Sequence, residues 1–382
     1  MTAAAPPMPL STSGRYIVDR SGRRVRLAGV NWYGAHEDDG VASGLERTGR
    51  QALARRIARH GFNSVRLPFS LWMTEQATPV PDDYLAANPD LSGSTPMRVY
   101  DACVEALTDA GLIVIPNCHT LDAGWCCSES DGNGLWFSDR WPAGRFLAAW
   151  QGMAARYKSN PLVAGMDIMN EPRRSRVRGR VLTPAWGTGS RTDIAAMYTT
   201  AGNLIHEISP DLLIICEGLG FAADLTGVAR HPVRLERPDK VVYSLHDYSW
   251  FHPAGQPRQA YFDQMRANGG YLLEDGSAPL WIGEFGNDTR SLDSFGRSSS
   301  PQSGWWNNVE DWLTERDADW CWWPLNPTQP RGTVPVTGQH RSGWGDPEPW
   351  GLLTQDWRGV ANPPVLDILK AMIPPRTGPG VS

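Results

Sequence analysis

The 382-residue sequence has no run of about 18 or more apolar residues, so we expect no membrane-spanning helix. It also lacks long runs of like charge, and its formal net charge is −5. A basic surface for nucleic acid or anionic lipid is therefore not expected. The N-terminal stretch MTAAAPPMPLSTSGRY lacks the cationic start and apolar run of a signal peptide. We expect the protein to be either cytoplasmic or secreted, with its leader absent from this chain.

The six cysteines show no spacing typical of metal ligands, so no metal or other cofactor is expected. Cys126 and Cys127 are adjacent in a loop rich in Gly, Asp and Ser. The sequence leaves open whether this pair is oxidised or structural. The other four lie in apolar segments and are interpreted as small buried hydrophobic residues: Cys103, Cys118, Cys216 and Cys321.

Tryptophan is abundant, with 18 residues, many of them beside Gly, Asn, Asp or Pro rather than inside apolar runs. An indole ring stacks on the C–H face of a pyranose, while the sugar hydroxyls take hydrogen bonds at its rim. Simple burial in a large core is the alternative for any one of these rings. Together they suggest a neutral carbohydrate ligand.

Eight short apolar runs recur along the chain, and each is nearly continuous in hydrophobicity, as expected for strands buried on both faces. Patterns of helical period lie between them, and Gly61 and Gly111 are expected to end two of these helices. The predicted strands are 25–31, 64–68, 112–117, 162–170, 212–218, 241–246, 279–285 and 320–326. The predicted helices are 50–61, 97–111, 144–158, 192–208 and 303–317.

This alternation predicts an α/β fold in one domain, a (β/α)8 TIM barrel. An open, doubly wound sheet is the alternative, but no Gly-x-Gly-x-x-Gly motif follows the first strand. Residues 14–27 predict a β-hairpin that turns at Ser21-Gly22 and closes the lower end of the barrel. Residues 327–349 are expected to form a long loop after the last strand. The predicted boundaries are an N-terminal tail at 1–13, the barrel domain at 14–372 and a C-terminal tail at 373–382.

Polar residues stand at the ends of nearly all the predicted strands. In this kind of barrel the carboxyl ends of the strands meet at one rim, where active sites lie. Each residue taken singly has a structural explanation, such as a buried salt bridge, but their joint placement is much harder to explain by chance. The residues are Asn31, Arg66, His119, Asn170, Glu171, Glu217, His246, Tyr248, Glu284 and Trp323.

Glu171 and Glu284 are the two carboxyl groups that we expect to be catalytic. Glu171 ends the fourth strand in MDIMNEP, and Glu284 ends the seventh in WIGEFG. Hydrolysis of a glycosidic bond needs one protonated carboxyl at the leaving oxygen and one carboxylate that attacks or activates water. A separation of roughly 5 to 5.5 Å between the two groups would predict retention of anomeric configuration, and roughly 6.5 to 9.5 Å would predict inversion.

The neighbouring side chains suit this chemistry. Arg66 is expected to hold Glu284 ionised, and Tyr248 to donate a hydrogen bond to it. Trp323 is expected to form the floor under the ring that is cleaved. The residues expected to meet sugar hydroxyls are His119, Asn170 and His246.

Two further residues near the rim, Glu217 and His36, give weaker indications of a functional role. Glu217 is a third carboxylate that the reaction does not need, so a structural role is favoured. His36 follows the first strand in a short acidic segment and is expected to reach a neighbouring sugar subsite, a solvated loop being the alternative. No ligand spacing supports a metal site in that segment.

Seven motifs resemble those of glycoside hydrolase family 5, the cellulase family within the clan of (β/α)8 retaining β-glycosidases. They follow the family's order from about residue 14 to residue 372. The resemblance implies Glu171 as the acid/base and Glu284 as the nucleophile. It places the other rim residues around the substrate: Arg66, His119, Asn170, His246, Tyr248 and Trp323. The motifs are GVNWYG (29–34), GFNSVRLPFS (61–70), NCHTLD (117–122), MDIMNEP (166–172), SLHDYSW (244–250), WIGEFG (281–286) and WWPLNP (322–327).

The chain departs from the family at two places. The pattern W-x-W-N-P of bacterial endoglucanases is loosened to W-W-P-L-N-P, and Trp323 is preferred over Trp322 because it stands three residues before Asn326-Pro327. The loop at 121–141 is similar to a plant and actinobacterial branch of the family. A loop that blocks the cleft would favour exo-action or a short glycan, whereas an open cleft would favour internal cleavage.

The expected function is a retaining β-glycoside hydrolase that works by double displacement, in the first place an endo-β-1,4-glucanase. The alternative is an exo-acting or specialised enzyme, such as a β-glucosidase, a β-1,3-glucanase, or an enzyme for a disaccharide or glycolipid. A non-catalytic carbohydrate-binding barrel and a metal-dependent hydrolase are less favoured. The expected partner is an oligo- or polysaccharide and not nucleic acid. We expect a monomer, extracellular in the first place and cytoplasmic as the alternative.

Overall fold

The computed structural model describes residues 5–296, 301–330 and 344–373. Within these residues no helix is both long and apolar enough to span a membrane. The strands are β1 (Ser11–Ser13), β2 (Tyr16–Val18), β3 (Ala28–Asn31), β4 (Ser64–Ser70), β5 (Ile113–Thr120), β6 (Gly165–Asp167), β7 (Ser175–Val177), β8 (Arg180–Leu182), β9 (Leu213–Glu217), β10 (Val241–Asp247), β11 (Leu280–Phe285), β12 (Asp319–Trp322), β13 (Thr328–Pro330) and β14 (Trp344–Pro347). The α-helices are α1 (Arg50–Arg59), α2 (Pro96–Asp109), α3 (Ala143–Tyr157), α4 (Ile194–Ile208), α5 (Leu219–Ala222), α6 (Arg258–Met265), α7 (Tyr271–Glu274), α8 (Pro301–Arg316) and α9 (Pro363–Ala371).

Eight parallel strands close into a barrel in the order β3-β4-β5-β6-β9-β10-β11-β12, and β12 pairs back onto β3. The predicted (β/α)8 barrel is therefore confirmed, and closure excludes the open sheet. β6 is shorter than predicted because the chain leaves the barrel after Asp167, and Glu171 has a φ of 48°, outside the extended region. β12 ends at Trp322, just before Pro324, which has no N–H for the ladder.

The helices pack on the outside of the barrel through one apolar stripe each. In α1 the buried residues Leu53, Ala54 and Ile57 recur at helical spacing and so lie on one face. All five predicted helices are present, as α1, α2, α3, α4 and α8. Gly61 and Gly111 follow the ends of α1 and α2 with φ values of 95° and 79°, which confirms them as C-terminal glycines in the left-handed region.

The interior of the barrel is a separate apolar cluster. Side chains such as Ile113, Ile215 and Trp281 point inward from different strands and fill it. Leu10 and Ile17 from the N-terminal segment are fully buried in the same cluster. The N-terminal hairpin therefore closes the lower end of the barrel, as predicted, and leaves the opposite rim open.

The N-terminal hairpin begins earlier than expected. β1 and β2 pair antiparallel around a turn at Gly14-Arg15. The predicted turn at Ser21-Gly22 is also present, because Val18 bridges Arg24 across it. Since β1 and Leu10 are packed, the ordered fold starts N-terminal of residue 14, which corrects the predicted boundary of the tail.

Two small antiparallel sheets stand above the open rim. β7 and β8 follow β6, and β13 pairs with β14 after β12. The segment 327–349, predicted to be entirely loop, therefore contains two short strands, while residues 331–343 lie outside the described part of the chain.

Candidate active site

The carboxyl ends of the barrel strands bring most of the predicted site residues to one rim. Parallel strands of a closed sheet all end on the same side, so residues far apart in sequence meet there. Arg66 lies in β4, His119 in β5, Glu217 at the end of β9, His246 in β10 and Glu284 in β11, while Asn170 and Glu171 follow β6, Tyr248 follows β10 and Trp323 follows β12.

Arg66 is the centre of a fully buried hydrogen-bond network at this rim. Burial by itself would lower its pKa, but the carboxylates of Asp167, Glu284 and Glu217 raise it well above the usual range. The guanidinium is therefore a fixed positive charge that bridges several strands. Nε donates to Asp167 (2.7 Å), Nη1 to Asn31 (3.0 Å) and Glu284 (2.5 Å), and Nη2 to Asn170 (2.7 Å) and Glu217 (2.9 Å).

Glu171 is buried but reaches the cleft, with 8% of its surface exposed. Its backbone N–H donates to Glu217 Oε2 at 2.6 Å, and its Oε1 lies 3.0 Å from Nδ1 of His246. Burial raises the pKa of Glu171 to about 7, although the positive charges of Arg173 and Arg66 act in the opposite direction. This carboxyl group therefore stays protonated at a higher pH than an ordinary glutamate and is able to donate a proton near neutrality.

Glu284 accepts hydrogen bonds from a charged and a neutral donor. Arg66 Nη1 lies 2.5 Å from its Oε1, and the hydroxyl of Tyr248 donates to its Oε2 at 2.8 Å. One carboxylate oxygen each of Glu171 and Glu284, together with a ring nitrogen of His246, lie within 4.8 Å of one another. The two carboxyl groups thus face each other, with their facing oxygens closer than the roughly 6.5 to 9.5 Å of inverting enzymes.

The two histidines at the rim are held in their neutral form. Burial lowers the pKa of His246 to about 4 and that of His119 well below its usual value. His119 Nδ1 lies 2.8 Å from Oδ1 of Asn117, which orients its ring. At neutral pH His119 therefore gives its one N–H to Asn117 and keeps Nε2 as an acceptor, which suits the O–H of a sugar.

Glu217 and Asp167 lie beneath the carboxyl groups of Glu171 and Glu284, and neither has exposed surface. Glu217 contacts both Arg66 and the backbone of Glu171, so it positions those two residues from below. Sequence reasoning missed Asp167, although a charged residue inside an otherwise apolar strand was an available signal. Burial, and after it the nearby charge of Asp167, raises the pKa of Glu217 well above its ordinary value.

Trp323 lies in the cleft wall with 9% of its surface exposed, whereas Trp322 is fully buried. Its ring stacks on Tyr33 at 5.0 Å between centroids and an interplanar angle of 8°, and on His119 at 5.5 Å and 4°. The preference for Trp323 over Trp322 thus agrees with which indole reaches the cleft. Tyr33 was missed because the sequence motif that contains it has several aromatic residues and no periodic signal.

His36 does not reach the cleft surface. It has no exposed area and lies behind His119, with 4.4 Å between the ring centroids. Its Nε2 is 3.1 Å from Glu37 Oε1. The expectation that His36 meets a neighbouring sugar is therefore replaced by a supporting position behind His119.

A second set of cleft residues comes from loops and was not found from sequence. Glu348 accepts a hydrogen bond from Tyr33 Oη at 3.1 Å, and burial raises the pKa of Glu348 to about 7. The ring of Trp350 lies 5.6 Å from that of Tyr248 and 5.3 Å from that of Trp250. These residues lie in loops, where the sequence has no regular pattern. Only the folded chain therefore shows which of them come into contact.

Two groups of residues have the composition of a metal site among the described residues: Glu171, His246 and Glu284, and His119, Cys126 and Cys127. In the first group the positive charge of the Arg66 guanidinium already balances the negative charge of Glu284. In the second, the two sulfurs are joined to each other as a disulfide and do not offer thiolate ligands. The donor atoms thus have partners within the protein, and the acid/base chemistry of two glutamates needs no cation.

Comparison with known proteins agrees with this geometry. Residues 18–329 match the family described as Cellulase (glycosyl hydrolase family 5). An endoglucanase of Paenibacillus polymyxa is 31% identical over 95% of this chain and 87% of its own length, and a glycosyl hydrolase 5 family protein of Chamaecyparis obtusa is 30% identical over 99% and 69%. The catalytic domain of the major endoglucanase of Xanthomonas campestris has the same fold, with a TM-score of 0.77 at 24% identity over 95% of this chain and 99% of that domain.

The match to the family covers most of the barrel, from the N-terminal hairpin to β13. It includes every rim residue predicted from the sequence, whereas Glu348 and Trp350 lie beyond it. The resemblance inferred from the seven sequence motifs is thereby confirmed. The chain belongs to glycosyl hydrolase family 5 and is a glycoside hydrolase of the cellulase type, with a polysaccharide as its class of substrate.

Proposed function

We propose that the protein is a retaining endo-β-1,4-glucanase in which Glu171 is the general acid/base and Glu284 the nucleophile. The observation that carries the proposal is that one carboxylate oxygen of Glu171 lies within 4.8 Å of one carboxylate oxygen of Glu284. Retaining glycosidases need roughly 5 to 5.5 Å between the groups, whereas inverting enzymes need roughly 6.5 to 9.5 Å. The printed names of the relatives, which include endoglucanases, support β-1,4-glucan as the first substrate to test.

The two carboxyl groups differ in the way that their roles require. Glu171 has a pKa raised by burial to about 7, so it carries a proton at mildly acidic pH. Glu284 accepts hydrogen bonds from Arg66 and Tyr248, which hold its carboxyl group in place facing Glu171. One group thus begins the reaction as an acid and the other as a nucleophile.

The reaction proceeds in two displacements at the anomeric carbon. In the first, an oxygen of Glu284 attacks that carbon as its bond to the leaving oxygen breaks, and Glu171 gives its proton to that oxygen. In the second, ionised Glu171 takes a proton from a water molecule, whose oxygen attacks the anomeric carbon and displaces Glu284. Two inversions return the original β-configuration, and both glutamates recover their starting states.

The remaining rim residues bind and orient the sugar in this proposal. His119, Asn170 and His246 meet hydroxyl groups, and Trp323 supplies the apolar face under the ring. The stack of Trp323 on Tyr33 and His119 fixes the indole before substrate arrives. Little ordering is therefore needed on binding, which favours affinity.

We also propose that the protein acts outside the cell as a monomer. A polysaccharide is too large to enter a cell intact, a relative from Xanthomonas campestris is named a major extracellular endoglucanase, and a disulfide is typical of oxidising compartments. All the proposed catalytic and binding residues come from one chain, so the site is complete without a partner.

Azide tests the two glutamate assignments separately. With an aryl β-cellobioside, Glu284→Ala should lose turnover by a factor on the order of 10⁴. Azide should occupy the space left by the carboxylate and give an α-glycosyl azide after one inversion. Glu171→Ala should instead form the glycosyl-enzyme with Glu284. Azide should then attack that intermediate and give the β-glycosyl azide after two inversions. Glu207→Gln, on the exposed face of α4, is the matched control. A β-azide from the Glu284 variant would show the assignments to be wrong.

Exo-action is the second candidate, because Trp125 approaches Tyr33 at 5.4 Å and narrows one side of the cleft. Viscometry of carboxymethylcellulose distinguishes the two modes. Endo-action lowers the viscosity steeply while few reducing ends appear. Release of reducing sugar at nearly constant viscosity would overturn the endo-glucanase proposal and leave the glutamate roles intact.

A further inference from the structure

A pair of bonded cysteines lies against the proposed sugar-binding residues. Cys126 and Cys127 form a disulfide between neighbours in the loop after β5, and both are only partly buried. The side-chain amide of Asn170 donates to the sulfurs of both, at 3.4 Å each. A ring nitrogen of His119 and the two sulfurs lie within 4.8 Å of one another. A sugar hydroxyl that reaches Asn170 or His119 must therefore pass beside the disulfide.

Arg173 fixes this loop to the acid/base residue. Its guanidinium, 1% exposed, donates to the backbone oxygen of Glu171 at 2.8 Å and to that of Ser128 at 3.0 Å. It also donates to Asp131 at 2.6 Å and reaches Cys126 Sγ at 3.6 Å. One buried side chain thus sets the position of the disulfide relative to Glu171, which makes the disulfide a fixed part of the cleft.

The disulfide continues the apolar wall that begins at Trp323. Trp323 stacks on Tyr33, and Tyr33 contacts the edge of Trp125, the residue that directly precedes Cys126. Sulfur atoms are polarisable and weak acceptors, so they pack on C–H groups and compete little with hydroxyl groups for donors. A partly exposed apolar surface beside two hydroxyl-binding side chains has the composition of a pyranose site.

We propose that the Cys126–Cys127 disulfide forms a wall of the subsite for the sugar whose glycosidic bond is cleaved, and contacts that sugar beside the hydroxyls bound by Asn170 and His119. This inference rests on the proposed placement of that sugar between Glu171 and Glu284. The wall selects β-glycosides whose hydroxyls on this side are unsubstituted, because a branch there would collide with the sulfurs. The disulfide is thus a determinant of specificity that acts on substrate binding.

The bond itself is tested by thiol titration of the denatured protein. Four thiols are expected before reduction, from Cys103, Cys118, Cys216 and Cys321, and six after it. Six thiols before reduction would overturn the proposal.

The substrate contact is tested on Cys126→Ala/Cys127→Ala with Ser130→Ala, an exposed residue of the same loop, as control. The probe is cellotetraose or, if β-1,4-glucan is not cleaved, the aryl β-glycoside that the wild type hydrolyses fastest. We expect KM to rise at least fivefold with kcat within threefold of wild type, since a contact made equally in ground and transition states changes KM alone. Reduction of the wild type by a phosphine should give the same rise reversibly and leave the double variant unaffected.

The variant and the reduced wild type together distinguish the ways in which the proposal could be wrong. An unchanged KM in both the variant and the reduced wild type would overturn the disulfide wall. A fall in kcat at constant KM would also overturn it, because the loop would then act by positioning Glu171 through Arg173. If the double variant fails to fold, the reversible phosphine measurement on the wild type decides. Cleavage of another β-glycoside in place of β-1,4-glucan would refute the endo-glucanase proposal while the disulfide test proceeds on that substrate.

Discussion

Replacing Glu171 with Gln should reduce the loss of stability that the protein undergoes as the pH rises from about 4.5 to about 7. Burial raises the pKa of Glu171 from its ordinary 4.5 to about 7 in the folded chain, so ionisation of this group opposes folding. The effect is absent below about pH 4.5, where the carboxyl is protonated in both states, and complete above about pH 7. A shift of this size corresponds to about 3 kcal/mol in the free energy of unfolding.

The measurement is urea unfolding of the wild type and of Glu171→Gln at a series of pH values from 4 to 8, followed by tryptophan fluorescence. Relative to its value at pH 4, the stability of the variant minus that of the wild type should increase by about 3 kcal/mol by pH 8. Taking the difference removes the contributions of all other titrating groups. Glu207→Gln, at an exposed position on α4, should give a difference that is nearly independent of pH.

The same titration should appear in activity. If Glu171 donates the proton, kcat/KM of the wild type should fall as the pH rises through about 7, the pKa of Glu171. The alkaline limb and the stability difference should then share one midpoint. A stability difference that does not change with pH would refute the argument that burial keeps this carboxyl protonated. If the pH midpoint of the fall in kcat/KM differed widely from the midpoint of the stability difference, another titrating group would cause the fall in activity.

Two further substitutions test the network around Glu284. Arg66→Met should lower the free energy of unfolding by roughly 3 to 5 kcal/mol in urea, because it leaves buried carboxylates without their cation; a loss below about 1 kcal/mol would contradict this account. Tyr248→Phe removes the hydroxyl that donates to Glu284 and should lower kcat by about 10-fold or more, with little change in KM. Tyr271→Phe, whose hydroxyl donates to a distant backbone oxygen, is the control, and an effect of Tyr248→Phe on KM alone would indicate a role in binding instead.

Glu171 and Glu284 illustrate how much of the site the sequence predicts. Each was predicted to end an apolar strand, and the structure places Glu284 near the end of β11 and Glu171 four residues after the end of β6. The ends of parallel strands in a barrel must meet at one rim. Strand-end position is a local property, so periodicity and turn residues reveal it without knowledge of the fold. The same reasoning found Tyr248, which directly follows β10, and Arg66, which lies within β4 rather than at its end.

Asp167 and His36 illustrate what the sequence did not reveal. Asp167 lies inside the strand predicted at 162–170 and is the last residue of β6 in the structure. Its importance follows from its 2.7 Å contact with Arg66, 101 residues away in the chain. Histidine is a residue type that can bind a sugar hydroxyl, but His36 lies buried behind His119. Whether a polar side chain faces the cleft or supports it from behind depends on the packing of other elements, which no local pattern records.

The sequence by itself determined the order of strands and helices, the closed barrel, the family, and the two glutamates that face each other at the rim. These follow from hydrophobic periodicity and from motifs that are short and contiguous. Only the tertiary structure decided the gap between the glutamates, the raised pKa of Glu171 and the contact of the Cys126–Cys127 disulfide with Asn170. Distance and desolvation arise when residues remote in sequence share one buried space, so they exist only once the barrel has closed and its loops have packed above it.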